Sequence, residues 1–201
     1  RNVCKGALEI FQLLPHEMIA PEDISKVPNN PNKFYGCIVT AKEMVRHPSA
    51  TAFQKEHYYT NPQEYEPIFH SNILPYTSVL VNCMYWSPRF PRLITINQMT
   101  ALERTYTKQN QRRFLGVADI SCDIGGSVEF LKHSTTIDKP FFMYDATTDS
   151  IRDSIEGAGV FMLGVDNLPA EFPREASSHF SNALKPFVQP LASMDPNIPY
   201  E

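Results

Sequence analysis

At 201 residues, with 42% hydrophobic and 20% charged side chains, the chain has a globular composition and enough length for one sizeable core or two small ones. A net charge of -4 and a pI near 5.9 argue against a nucleic-acid binder, which carries a basic stripe; the nearest candidate is the pair Arg112-Arg113. No apolar run approaches membrane-spanning length, so no membrane partner is expected.

In chain order, the first signal is "RNVCKGALEIF", where Gly6-Ala7 leads into Leu8, Ile10, Phe11, Leu13 and Leu14, a pattern that predicts a buried helix. In nucleotide-binding α/β folds such a helix follows a strand and a glycine-rich turn and receives a pyrophosphate at its N-terminus. That strand would lie upstream of Arg1, so the first strand is expected to be truncated. Buried strands are predicted at 34 to 40 ("FYGCIVT"), 78 to 86 ("SVLVNCMYW"), 113 to 121 ("RFLGVADIS") and 159 to 168 ("GVFMLGVDNL"). Residues 27 to 76, rich in Pro, Asn and Tyr, read as an elaborated crossover rather than an independent domain. A helix is predicted over 171 to 189: Phe172, Ala176, Phe180, Ala183 and Phe187 recur at helical spacing, Pro173 suits the first turn, and Pro186 should kink or end it. The predicted fold is α/β, a Rossmann-like parallel sheet with helices on both faces over residues 1–195, with 196–201 as a linker to a following domain.

Three of the strands end on polar residues at the edge where open α/β sheets bind ligands: Asn82-Cys83, Asp119 and Asp166-Asn167. Asp119 and Asp123 flank the start of a loop that continues into Gly125-Gly126. Such carboxylates accept hydrogen bonds from ribose hydroxyls, although a plain strand-and-turn reading with capping aspartates fits the spacing slightly better. Asp166 and Asn167 stand between a strand and a proline-initiated helix, where they face a ligand or simply cap the helix. The cysteines at 4, 37, 83 and 122 sit singly in apolar stretches with no CxxC spacing, and are predicted to be buried reduced thiols, as suits an intracellular protein or an organelle matrix. Cys83 has no neighbouring base that would make it a nucleophile. The six histidines show neither HxxxH nor HxH spacing, so no metal site is expected.

The segments "NVCKGALEIFQLLP", "PYTSVLVNCMYW", "ADISCDIGGSVEF", "TTIDKPFFMYD" and "SIEGAGVFMLGVDNLPAEFPREAS" closely resemble the lysine-ketoglutarate reductase half of the bifunctional α-aminoadipic semialdehyde synthases, also called lysine-forming saccharopine dehydrogenases. "CDIGG" and "DNLPAEFPRE" are similar, more distantly, to loops of alanine dehydrogenase and nicotinamide nucleotide transhydrogenase. The resemblance implies an NADPH-dependent reductive condensation of L-lysine with 2-oxoglutarate to saccharopine, with this chain as the nucleotide-binding lobe.

It places Asn2, Val3 and Gly6 in the pyrophosphate turn, Tyr85 and Ile120 along the cofactor cleft, and Asp123 by the nicotinamide ribose. Asp166 and Asn167 would sit by the nicotinamide, with Asp166 also reaching substrate. The family's acid-base lysine and histidine belong to a preceding catalytic lobe, so Asp123 and Asp166 have supporting roles and the fragment alone is expected to be inactive. Arg1 stands where the family's turn has a glycine. The adenosine ribose would be held by an acid after "EMIAP", Glu22 or Asp23; an acid there favours NAD, whereas the resemblance favours NADP. A downstream saccharopine dehydrogenase domain in the same polypeptide is implied, with a mitochondrial matrix location in animals and a cytoplasmic one in plants; a homo-oligomer is left open. Two alternatives stand beside this: a non-catalytic dinucleotide-fold sensing or assembly module, and an alanine-dehydrogenase-like enzyme.

Overall fold

The computed structural model describes residues 2–28, 30, 32–109 and 112–195. The expectations for Arg1 and for a linker at 196–201 lie outside these. The chain divides into two compact units, Arg1–Asp166 and Asn167–Glu201.

The first unit begins with α1 (Asn2–Phe11) and β1 (His16–Ile19), which pairs in parallel with β2 (Phe34–Cys37). Two features of α1 differ from expectation. It starts at Asn2, so Asn2 and Val3 occupy its first turn and Gly6 its interior, and none of its residues is buried. The close approach of helix and strand falls at Gly36 rather than at Gly6. A Cβ on Gly36 would lie 2.5 Å from the Phe11 ring, whereas one on Gly6 would meet nothing within 4 Å. The helix therefore packs through its aromatic end, on a strand that leaves room for the ring.

The elaborated crossover is a series of short pieces, compatible with its irregular periodicity. After a 3-10 turn at Pro21–Lys26 come α2 (Ala41–Met44), β3 (Val45–Arg46), α3 (Lys55–Thr60), a 3-10 turn at Pro62–Glu64, β4 (Glu66–Pro67), α4 (Phe69–Asn72) and a 3-10 turn at Leu74–Tyr76. β3 and β4 form an antiparallel ribbon. Val45, Tyr58 and Tyr65 make a small core of their own beneath it.

The main sheet has the order β5-β6-β9-β7-β8. Of its strands, β5 (Val79–Asn82), β6 (Gly116–Asp119) and β9 (Val160–Leu163) run parallel, at the core of three of the predicted runs. Between β5 and β6 lies α5 (Ile96–Gln109), opened by a reciprocal cap. The Gln98 amide donates to Thr95 Oγ1 at 3.2 Å, and the Thr95 amide donates to Gln98 Oε1 at 2.8 Å. Its Met99, Leu102 and Tyr106 pack into one core with Leu80, Val117, Phe142, Tyr144, Val160 and Met162 of the sheet. The alternate sheet positions point the other way and stay open: Val79 is 57% exposed and Val81 47%.

Two strands that the sequence pattern does not predict, β7 (Phe141–Asp145) and β8 (Ser150–Arg152), add an antiparallel hairpin to the parallel core. The segment "DATTDS" supplies the turn residues of that hairpin, but its second strand, "SIR", is short and exposed and leaves no apolar trace. Asp145 Oδ1 accepts from the Thr147 amide at 2.8 Å and closes that turn.

The second unit holds α6 (Leu168–Glu171) and α7 (Pro173–Ala192). Pro173 takes the first turn as expected, and α7 runs through both Pro186 and Pro190, so of the two effects expected of Pro186 it does not end the helix. A proline withdraws one N–H from the ladder, and here the helical apolar pattern continues beyond it with Phe187 and Leu191. Phe172, Phe180 and Phe187 are all exposed. Among the described residues, no helix is long and apolar enough to cross a membrane.

Candidate functional site

Parallel pairing sets the carboxyl ends of β5 and β6 side by side, with Asn82 opposite Asp119. Both are buried, at 3% and 2% exposed. A buried polar side chain is costly unless it is hydrogen-bonded. Asn82 meets this by donating Nδ2 to Ser127 Oγ at 2.9 Å. Asp119 Oδ1 accepts the Cys122 amide at 3.1 Å, but among the described residues its Oδ2 has no hydrogen-bond partner. Burial pushes the Asp119 carboxyl above its usual range, against the opposing pull of polar groups on Asn82, Cys122 and Ser121. The capping reading of Asp119 is thus half right: one oxygen caps the turn, and the other is left over.

The loop after β6 turns sharply, with positive φ at Cys122 (49°) and Gly125 (60°). Gly126 is required by contact, because a Cβ there would come 2.4 Å from Asp123 Cβ. At Gly125 the corresponding space is open, so the backbone is accessible to a flat ligand. Arg92 holds the loop from below by donating to the carbonyls of both Gly125 and Gly126. Its guanidinium lies 4.6 Å from the Trp86 ring centroid and 3.7 Å from Glu129 Oε1. Arg92 and Ser127 were not singled out from the sequence, since neither stands in a recognisable spacing.

The third strand joins through Cys122, whose thiol donates to the Gly164 carbonyl just beyond β9 at 3.0 Å. Burial, and then the charges of Asp166, Asp119 and Asp123, push that thiol up to about 11. Cys122 therefore stays a neutral thiol amid three carboxylates, one from the end of β6, one from its loop and one from beyond β9. Cys83 is also pushed up, first by burial and next by the nearby Cys4 thiol. All four cysteines are free, but only Cys122 is fully buried; Cys4, Cys37 and Cys83 are half-buried, short of the burial expected.

The remaining expected site residues are dispersed. Ile120 is half-buried beside the edge, its amide bonded to the Asn82 carbonyl at 3.0 Å. Tyr85 is 87% exposed and Asp166 is exposed. Asn167, at the start of the second unit, precedes α6 without a side-chain capping bond. Asp23 follows β1 and is paired with Lys26 Nζ at 2.8 Å. Arg112, half of the only basic pair noted, is spent internally on Glu103 and the Gly159 carbonyl.

The alanine dehydrogenase/PNT C-terminal domain family matches residues 116–198, from β6 through the second unit. Over 207 residues the chain is 44% identical to the α-aminoadipic semialdehyde synthase of Arabidopsis thaliana, covering 96% of this chain and 19% of that protein. This sequence matches a segment of the α-aminoadipic semialdehyde synthase family. The mitochondrial α-aminoadipic semialdehyde synthase of Bos taurus is 35% identical over 211 residues, covering 100% of this chain and 23% of the relative. The NAD(+), L-lysine-forming saccharopine dehydrogenase of Schizosaccharomyces pombe is 27% identical over 125 residues, covering 59% of this chain. The chain spans about a fifth of the length of its bifunctional relatives, 19% and 23% for the two named. The expected Rossmann-like fold and the expected family agree with these matches, and the family fold implies a nicotinamide dinucleotide.

Proposed function

We propose that this chain is the dinucleotide-binding part of a lysine-ketoglutarate reductase, in which NADPH reduces the imine formed by the ε-amine of L-lysine and the ketone of 2-oxoglutarate, giving saccharopine. The observation that carries this reading is the meeting of Asp119, Asp123 and Asp166 around the Cys122 turn, beside an accessible backbone at Gly125. The cofactor supplies the hydride; the chain's own residues bind and orient. Asp123 accepts from the nicotinamide ribose hydroxyls, and Ile120 and Tyr85 line the cleft beside the ring. Asn167 and Asp166 lie near the nicotinamide, Asp166 toward the substrate amine. Asn2, Val3 and Gly6 approach the pyrophosphate from the first turns of α1, where unbonded amides and the helix dipole favour an anion.

Residues 1–195 act as one dinucleotide-binding domain in this reading, which the family match running through both units supports. The acid-base groups come from a preceding catalytic lobe, and a saccharopine dehydrogenase domain follows in the same polypeptide. The location is the mitochondrial matrix in an animal and the cytoplasm in a plant. For cofactor choice, Asp23 alone would repel a 2′-phosphate, but Lys26 at 2.8 Å offsets it and suits NADP.

The test is a titration following NADPH fluorescence on the full-length polypeptide. Asp123→Ala is expected to weaken binding by about 1–3 kcal/mol, the cost of losing a charged hydrogen-bond partner. That is roughly 5- to 150-fold in Kd. An unchanged Kd would return Asp123 to a plain turn residue.

A further inference from the structure

Away from the sheet edge, the elaborated crossover gathers His47, His57 and Glu64, whose ligand atoms all lie within 4.8 Å of one another. They come from three separate pieces: the turn after β3, the helix α3 and the 3-10 turn at Pro62–Glu64. A single oxygen, Glu64 Oε2, lies 3.4 Å from His47 Nε2 and 3.6 Å from His57 Nε2. Four ligands at about 2.0–2.1 Å in a tetrahedron stand about 3.3–3.4 Å apart, so both spacings are close to those around a zinc ion.

The proton positions sharpen the point. Tyr65 spends its only hydroxyl proton on the Gln54 carbonyl at 3.2 Å, so its oxygen accepts from His57 Nδ1 at 3.3 Å. Neutral His57 then turns the lone pair of Nε2 toward a carboxylate oxygen. Two acceptors facing each other at 3.6 Å repel unless a proton or a metal cation stands between them. Tyr65 is the outer partner that orients a metal-ligating histidine and sets its tautomer. His47 is less prepared: the Ser49 amide donates to its Nδ1 at 3.1 Å, which leaves the ring proton on Nε2. Binding through Nε2 moves that proton to Nδ1 and gives up the contact to Ser49, an exposed amide that water can serve instead.

A clip at this place also answers a structural need. Only Val45, Tyr58 and Tyr65 are buried in this small core, and cores of that size are commonly held by a metal or a disulfide. We propose that His47, His57 and Glu64 bind one divalent cation of borderline softness, zinc above all, which ties the three pieces together and keeps a fourth position open to water. This inference is independent of the cofactor reading, and a site of this kind was not expected from the linear spacing of the histidines.

The test uses the purified chain with zinc alone. Equilibrium dialysis should give one ion per chain, and X-ray absorption should show nitrogen and oxygen neighbours without sulfur, which excludes capture by the cysteines. Hydrogen exchange of amides 45–67 should slow about tenfold at a zinc concentration ten times Kd. Both His57→Gln and Glu64→Gln should abolish binding while leaving exchange in β6 and β9 unchanged. No binding, a sulfur-bound ion, or a zinc ion retained by both variants would overturn the proposal, and the first result would assign the cluster to a protonated His57 paired with Glu64. If the variants fold poorly, the absorption spectrum of the unaltered chain decides the ligand set by itself.

Discussion

The carboxyl edge of the main sheet and the crossover around residues 41–67 both bring ionisable side chains together, on foundations of very different size. Asn82 and Asp119 stand on strands with a core of some twenty residues beneath them, from Ile24 to Met162. His47, His57 and Glu64 stand over three buried residues and a ribbon of two residue pairs. A large core can carry an unsatisfied polar atom, as it does at Asp119 Oδ2. A small one depends on contacts among its aromatic rings, and Tyr65 packs within 6.0 Å of His47, Phe53, His57 and Tyr58. Strain is therefore expected to be tolerated at the edge, and local opening at the crossover.

The largest effect that tests this contrast comes from emptying each core. Phe130 is fully buried and stacked on Tyr144 at 4.8 Å, so Phe130→Ala should lower global stability by about 3–5 kcal/mol in chemical denaturation. Tyr58→Ala should instead speed hydrogen exchange mainly between residues 45 and 67, with the sheet still protected. Equal loss of protection in both regions would mean that the two cores unfold as one.

A smaller effect concerns Asp119. A carboxyl whose folded pKa is raised favours folding below the unfolded pKa, and that contribution is lost as pH rises through the folded value. Stability should accordingly fall as pH climbs from the usual carboxylate range through the raised one. Asp119→Asn keeps an oxygen for the Cys122 amide and carries no charge, so it should flatten this part of the pH profile. It should also stabilise the protein near neutrality, because it removes a desolvated charge while its amide nitrogen takes the place of the unpaired oxygen. A profile that does not change would show that the orphan oxygen is served by another group.

Least affected should be the outer edge of the ribbon. Arg46 Nη2 lies 3.2 Å from Glu66 Oε2, and both side chains are more than half exposed, so Arg46→Ala should cost under about 1 kcal/mol in thermal unfolding. A larger loss would make the ribbon a more integral part of its small core than its exposure suggests.

Much of the sheet was legible because burial leaves a linear trace. Val79–Asn82, Gly116–Asp119 and Val160–Leu163 each lie inside an apolar run, and the first two end on a polar residue at the carboxyl edge. The hairpin Phe141–Arg152 was missed because its second strand, Ser150–Arg152, is exposed throughout and leaves no such trace. Helix α1 is legible in the sequence but its exposure is not, since apolar residues alone cannot say how far a neighbour will cover them; Ile10 and Leu13 remain exposed.

By itself, the sequence determined the α/β class, the strand centres and the proline-led start of α7, because these follow from local pattern and backbone chemistry. Only the tertiary structure decided that Arg92 clamps Gly125 and Gly126, that Asp119 keeps an unpaired oxygen, and that His47, His57 and Glu64 meet. Arg92 lies 33 residues from Gly125 in the chain, and His47 lies 17 from Glu64. Contacts across such separations depend on how elements pack, and side-chain spacing along the chain carries no record of them.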